Sequence, residues 1–378
     1  MFNTQNKPEI LIIGQSARIL AEMAIAAGHE PLVIDCFGDA DTRRLALDYQ
    51  QVESLTLEQV QPAVNAFKQR HHITEIIYGS GFEQYSHTLD YLAEQAVLLG
   101  NPPALFRQIQ HKADFVRQLQ ALNIPHPQTC FTAPNGDGWL FKPLLGAGGK
   151  GIKNYRPGDT NLTQLGFWQQ YLSGQAMSIT FIAADKKIWP LGINRQWTLP
   201  LEEQPFRFSG ISSNAELSDT HYLRLLEWLL RLQEIYPMRG LGSLDFILQD
   251  SGCYVLEINP RIPASAHFYG APVFDWHRQA CLHGDIDGFA PLQTAAAYEL
   301  VYAQQIVNIS DNLSWPDWAR DLPAAGAIIP QDQPICSIIA TSENATQAEQ
   351  LLQQRRQYLE HLLNIQVVKH HGISGQCQ

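Results

Sequence analysis

Two short segments carry residue types that could act on a phosphorylated substrate. In the first, Phe141-Lys142-Pro143 leads into Gly146-Ala147-Gly148-Gly149-Lys150-Gly151. A lysine on an apolar strand-like stretch is followed by backbone that is almost bare of side chains. A fixed cation meets phosphate charge, and glycines let backbone N–H groups approach oxygen atoms with no Cβ in the way. The same residues also fit a plain glycine hairpin with a surface lysine. A P-loop is ruled out, because that motif needs a glycine five residues before Gly149 and a hydroxyl side chain after Lys150, where the chain has Leu144 and Gly151.

The second segment pairs Leu244-Asp245-Phe246 with Leu256-Glu257-Ile258-Asn259-Pro260-Arg261. Residues two apart on a strand share a face, so Glu257 and Asn259 project together, and a hairpin partner would bring Asp245 beside them. Mg²⁺ takes one or two carboxylates and completes its shell with water and phosphate oxygens, which this set allows; Mn²⁺ is the alternative ion. Two acids on a solvent face is the competing reading. Against it stand Leu244, Phe246, Ile247, Val255, Leu256 and Ile258, because a carboxylate among apolar neighbours is costly unless paired or metal-bound. Arg261 adds a forked cation next to the acids, as a charge stabiliser or as a structural ion-pair partner.

These residues need elements to position them. Glu9–Gly14 is an apolar β-rich run, Ser16–Ala27 has helical patterning stopped by Gly28, and Pro31–Asp35 reads as the next strand. Helical Leu57–Gln69, strand-like Thr74–Gly79 and helical His87–Leu98 continue the alternation, which predicts a parallel α/β layer to about residue 100. The turn after the first strand has one glycine where a dinucleotide fingerprint places three, which disfavours a nicotinamide-dependent dehydrogenase. Asn101-Pro102-Pro103 marks a break, and Pro103–Leu122 reads as helical, with Lys112 near its middle. Trp139–Leu144 and Met177–Ala183 read as short strands that pair antiparallel across the glycine loop. Helical Thr220–Tyr236 precedes strands at Ser243–Leu248 and Tyr254–Ile258, joined as a hairpin by Gln249-Asp250-Ser251-Gly252. Strand-like Glu299–Val307, Gly326–Ile329 and Cys336–Thr341 and helical Ala345–Leu363 form a final lobe.

Composition bounds the partners. A chain of 378 residues exceeds the size at which one core stops growing, so several packed units are expected. With 26 basic against 37 acidic residues the net charge is −11, which opposes non-specific attraction to nucleic acid or anionic lipid and favours small-molecule partners. The six cysteines form no CxxC pair, so neither a zinc site nor a disulfide framework is suggested. Met1–Glu9 lacks a secretion pattern, and no apolar stretch approaches a membrane span, so no membrane association and a cytoplasmic setting are expected. A homo-oligomer is left open.

Further candidates are weaker. Asp35, Asp39, Asp41, Arg43 and Arg44 follow the second strand, at the edge where α/β layers bind ligands, or form a polar loop. Arg195, Gln196, Arg207 and Ser265 could reach a substrate carboxylate from loops, or are ordinary polar positions. The pairs His71-His72 and His370-His371 are assigned no function.

The succession Lys112, FKPLLGAGGKGI, QQYLSGQAMSITFIA, GLGSLDFIL and YVLEINPRIPAS resembles the ATP-grasp superfamily over about residues 100–290. The N-terminal IIGQSARILAEMAIAAGHEPLVIDCFGDADTR resembles a branch of predicted carboligases related to the tyramine–glutamate ligase. The resemblance implies a mixed α/β and α+β fold. A Rossmann-like pre-ATP-grasp layer would cover 1–100, a small lobe with the glycine loop 101–185, a large lobe with the metal site 186–294, and a C-terminal lobe 295–378. It further implies that Lys112 and Lys142 contact ATP phosphates and that Gly146, Gly148, Gly149, Lys150 and Gly151 form a mobile loop closing over them. Adenine would lie near Gln169, Gln170, Tyr171 and Leu172, where many members carry an acid beside the hinge tyrosine and this chain has two glutamines. Asp245, Glu257 and Asn259 would hold Mg²⁺, and Arg261 would act at the transferring group. The implied activity is an ATP-dependent carboxylate–amine ligation through an acyl phosphate, joining an amino acid such as glutamate in cofactor assembly. Alternatives are a bicarbonate-activating carboxylase and an ATP-binding sensor or assembly subunit without turnover.

Overall fold

The computed structural model describes residues 9–159, 165–201, 204–292 and 294–363. The pair His370-His371, Cys377 and residues 1–8 lie outside them. Apolar runs that alternate with amphipathic segments build the first layer: β1 (Glu9–Gly14), α1 (Arg18–Ala26), β2 (Leu32–Asp35), α2 (Ala40–Leu45), β3 (Asp48–Gln51), α3 (Leu57–Lys68), β4 (Ile73–Tyr78), α4 (Thr88–Gln95) and β5 (Val97–Leu99). The strands form one parallel sheet in the order β3-β2-β1-β4-β5. The helix expected to run to Leu98 stops at Gln95, because Ala96 is extended and the apolar residues after it pair with β4.

Pro103–Leu122 is two helices: α5 (Pro103–Gln110) and α6 (Lys112–Ala121). His111 is extended, with ψ of 92°. The break puts Lys112 at the first position of α6 instead of mid-helix, from where its side chain reaches Glu257.

A four-stranded antiparallel sheet follows, from β6 (Thr129–Cys130), β7 (Trp139–Pro143), β8 (Lys153–Tyr155) and β9 (Gly166–Gln170), in the order β6-β9-β7-β8. The next elements are β10 (Gln175–Ala184), β11 (Lys187–Leu201), β12 (Gln204–Ser213), α7 (Asp219–Ile235), β13 (Gly240–Gln249), β14 (Gly252–Asn259), a 3-10 turn at Ala264–Tyr269 and α8 (Pro272–His283). β15 (Ala295–Tyr302), β16 (Val307–Asn308), β17 (Ala319–Arg320), β18 (Ile328–Ile329), β19 (Pro334–Ser342) and α9 (Ala345–Leu362) complete the chain. Eight strands join in one sheet, β14-β13-β10-β11-β12-β15-β19-β17. The expected pairing of Trp139–Leu144 with Met177–Ala183 is therefore corrected. β7 bonds to β8 and β9, whereas β10 lies between β11 and β13 in the larger sheet. The strands after residue 295 are not set apart either, since β12 pairs with β15.

Side-chain alternation on β10 explains how this sheet is sandwiched. Met177, Ile179, Phe181 and Ala183 are buried with Leu225, Trp228, Leu229 and Leu232 of α7 and Phe115 and Leu119 of α6. The opposite face carries Ile182 and Ala184, packed with Phe274 of α8 and with Ile10 and Ile12 of the N-terminal layer. On that second face, nearer the start of β10, Ser178 and Thr180 replace apolar residues, and the site lies there.

Candidate active site

β13 and β14 form the expected hairpin, with Asp245 opposite Glu257 and Ser243 opposite Asn259. The amide of Asn259 donates to Asp245 Oδ2 at 3.0 Å and to Ser243 Oγ at 3.2 Å, which commits its nitrogen and leaves its carbonyl oxygen as the remaining donor atom for a ligand. Ser243 Oγ and Gln196 Nε2 approach Asp245 Oδ1 at 3.4 and 3.5 Å. Lys112 donates to Glu257 Oε2 at 2.6 Å. The Glu257 side chain keeps 41% of its surface accessible, so this acid can be reached from solvent.

The two carboxylates are driven apart in acidity. Burial and the Glu257 charge push Asp245 up, above the usual carboxylate range. Burial works in the same direction on Glu257, but Lys112, Lys142 and Arg261 outweigh it and hold this acid down. Adjacent acids that cannot both ionise freely are relieved by a cation placed between them. Two carboxylates and an amide oxygen are also hard donors of the kind Mg²⁺ prefers. The residues present thus fit a divalent cation held by Asp245, Glu257 and Asn259.

Lys142 projects from β7 and donates to Gln169 Oε1 at 2.6 Å. Burial lowers its ammonium to about 8, with Lys112 adding to the effect and Glu257 and Asp245 opposing it. Beyond β7 the glycine loop rests on β12. Phe208 N donates to Gly148 O at 2.9 Å. Gly149 has φ of +74°, and a Cβ there would overlap the Phe206 carbonyl oxygen, so glycine is required for this approach. Gly146 and Gly151 also have positive φ, and Lys150 is exposed. The hinge keeps its backbone tied to the small sheet: Gln170 N donates to Gln128 O and Tyr171 N to Gly138 O, both at 2.8 Å. The half-exposed Tyr171 ring lies 6.2 Å from Phe206, and Leu172 is partly buried.

Arg261 follows β14 and bonds through Nε to Glu83 Oε1 at 2.9 Å. Among the described residues its two terminal nitrogens make no hydrogen bond. Glu83, buried after β4, also accepts from Gly81 N at 2.9 Å. It was not among the residues singled out from the sequence. The available signal was its place beyond the carboxyl end of a parallel strand.

The other candidates are placed differently. Arg195 is paired with Glu349 of α9, which also accepts from Ser212 Oγ at 2.6 Å. Arg207 contacts Tyr302 and Gln204 beside the docked loop. Ser265 is buried against Thr180 Oγ1 at 2.6 Å, in a network that continues through Asn194 to Tyr269. Asp35 bonds Tyr49 OH at 2.7 Å, Asp41 accepts the backbone N–H groups of Asp321 and Leu322, and Arg43 stacks over Tyr49. Asp39 stands at the N-cap position of α2 with its side chain accepting from Thr42 Oγ1 at 3.5 Å and from no helix N–H, and Arg44 is exposed. His71 bonds Asp48 at 2.8 Å.

Residues 109–265 match the ATP-grasp domain family. The chain carries an ATP-grasp domain. The match takes in Lys112, Lys142, the glycine loop, the hinge, Asp245, Glu257, Asn259 and Arg261, and it excludes Glu83. An uncharacterized protein of Methanocaldococcus jannaschii is 22% identical over 64% of this chain and 63% of its own length. The tyramine–L-glutamate ligase of the same organism is 28% identical over 26% of this chain and 30% of its own length. These alignments leave a third or more of each relative unmatched. In fold, the chain is similar to the L-amino acid ligase of Bacillus licheniformis, with a TM-score of 0.71, 13% identity, and 94% of this chain and 98% of that one covered. It is likewise similar to the biotin carboxylase domain of Hydrogenobacter thermophilus 2-oxoglutarate carboxylase, a dimer in complex with MgADP, ADP and bicarbonate. There the TM-score is 0.72, the identity 12%, and the cover 91% and 89%. No helix among the described residues is long and apolar enough to cross a membrane.

Proposed function

We propose that the protein is an ATP-dependent carboxylate–amine ligase that forms an amide through an acyl phosphate, with an amino acid such as glutamate as one substrate. The observation that carries this reading is that Lys112, Lys142 and Arg261 all act electrostatically on Glu257 of the Asp245–Glu257–Asn259 set, with the terminal nitrogens of Arg261 unbonded among the described residues. The limited likeness to tyramine–L-glutamate ligase supports the amino-acid side.

A carboxylate is a poor electrophile because its charge is shared by two oxygens. One oxygen attacks the γ-phosphorus of ATP, the bond to the β–γ bridging oxygen breaks, and ADP leaves with that electron pair. Mg²⁺ held by Asp245, Glu257 and Asn259 would supply charge neutralisation at the β- and γ-phosphates. Lys142 and Lys112 meet the remaining phosphate charge, and the glycine loop lying on β12 excludes water from the acyl phosphate. The amine nitrogen then attacks the acyl carbon. Arg261 offsets the oxyanion, inorganic phosphate leaves, and the surplus amine proton passes to solvent.

The test is an ADP-release screen of carboxylates against amines, with mass spectrometry of the products. The expected result is ADP, phosphate and a condensed product that needs both partners. ADP formed with bicarbonate and no organic acid would replace this reading by a carboxylase, and ATP binding with no turnover on any pair would replace it by a nucleotide-binding subunit.

A further inference from the structure

Lys142, Gln169 and Thr129 are joined in a chain whose direction is fixed. A lysine ammonium can only donate, so the Gln169 carboxamide presents its oxygen to the charged Lys142, at 2.6 Å. Its nitrogen therefore faces the other way and donates to Thr129 Oγ1 at 3.2 Å. That leaves the threonine hydrogen for the Pro127 carbonyl, at 3.0 Å. Strand register enforces the geometry, with Gln169 directly opposite both Thr129 of β6 and Leu140 of β7, so that Lys142 is its diagonal neighbour. Gln169 is 5% exposed. A buried amide with both ends committed is held in one orientation.

We propose that Gln169 is a positioning residue for Lys142, an uncharged acceptor that aims the ammonium into the nucleotide cleft while leaving its charge for the phosphates. The inference rests on the preceding assignment of Lys142 to ATP. A carboxylate at 169 would accept from Lys142 equally well but would form a local ion pair and cancel the charge the phosphates need. It would also turn the Thr129 hydroxyl away from Pro127. The groups facing Lys142 from the packed elements are Lys112 of α6, Asp245 of β13 and Glu257 of β14. No acid on β9 competes for the ammonium, so its charge stays available to the phosphates.

Calorimetric titration of the full chain with Mg²⁺ and ATP tests this, using wild type, Thr129→Val, Thr129→Ser and Gln169→Glu. Gln169→Glu is expected to bind ATP about tenfold more weakly or worse, because the new carboxylate holds the ammonium that the phosphates need. Thr129→Val, close to isosteric, is expected to weaken binding roughly three- to tenfold, the scale of one lost hydrogen bond. Thr129→Ser keeps the hydroxyl and is expected to bind within about twofold of the wild type, a rescue that a packing role of the threonine methyl group would not give. A Gln169→Glu or Thr129→Val variant that binds as the wild type does, or a Thr129→Ser variant as weak as Thr129→Val, overturns the inference. If Gln169→Glu does not fold, the two Thr129 variants decide. A wild type that binds no ATP overturns the ligase reading and this inference with it, an outcome distinct from the others.

Discussion

Glu83 and Arg261 lie 178 positions apart and meet through one hydrogen bond of 2.9 Å, so the N-terminal parallel layer holds an arginine that belongs to the ATP-grasp domain. Glu83→Gln keeps an acceptor for Arg261 but removes the charge that holds the guanidinium in place. Substrate-dependent ADP release is expected to fall roughly 10- to 100-fold, the scale on which supporting partners act on the groups they orient. The dissociation constant for ATP should change by no more than about twofold, because one remote interaction is altered. Parallel loss of ATP binding would show that Glu83 holds the fold and not the arginine.

Glu257→Gln tests the metal assignment. Turnover is expected to drop by about 100-fold or more, since charge stabilisation at the phosphates goes with the ion. The folded state should lose under about 1 kcal/mol, because Glu257 keeps 41% of its side-chain surface in solvent and the amide still accepts from Lys112. Unchanged turnover, read by ADP release, would sink the assignment.

Proton linkage makes the effect of Mg²⁺ depend on pH. Asp245 holds its proton to a higher pH in the native state than in the unfolded chain. The stability of the ion-free protein therefore falls as pH rises from the ordinary carboxylate value through the raised one. An ion bound to the ionised form reverses that loss, so the rise in melting temperature on adding Mg²⁺ should be larger at pH 7.5 than at pH 5. Thermal melts at the two values check this, and equal increments would show that Asp245 is not a ligand.

Gly149→Ala is expected to leave the fold intact and to keep the loop off β12, since the added methyl group meets the Phe206 carbonyl oxygen. Limited proteolysis reads the outcome. ATP should protect the 146–151 segment in the wild type and fail to do so in the variant.

Arg195→Met separates a packing role from a substrate role. Glu349 is buried and bonded to both Arg195 and Ser212. Losing the arginine should cost about 1–3 kcal/mol in denaturant unfolding, discounted because Arg195 is itself partly exposed. Substrate affinity should not change; a large rise in KM at normal stability would return Arg195 to the substrate site.

Local signals carried the βαβ units and the Asp245–Glu257 hairpin, because apolar runs, a helix-stopping glycine and a tight turn each act over a few residues. β11 and β12 left no such signature. Asn194, Ser212 and Ser213 are buried polar residues that interrupt the alternation by which a half-buried strand is recognised. Adjacency misled the pairing of β7 with β10, since nothing local says that the chain changes sheets between them. The break at His111 has no glycine or proline of its own to announce it. The Arg261 partner was illegible for a different reason: an ion pair across 178 positions is set by how two layers dock, not by spacing.

Pairing of β12 with β15 and of β15 with β19 has a practical consequence for dissecting the chain. A product ending near residue 294 would retain Lys142, Asp245, Glu257 and Arg261, yet β12 would become a raw sheet margin with its backbone groups bared to any passing strand, and Ser212 and Glu349 would be separated. Such a fragment should self-associate on expression. Recombinant pieces intended to keep the nucleotide cleft must therefore run at least through β19 and α9.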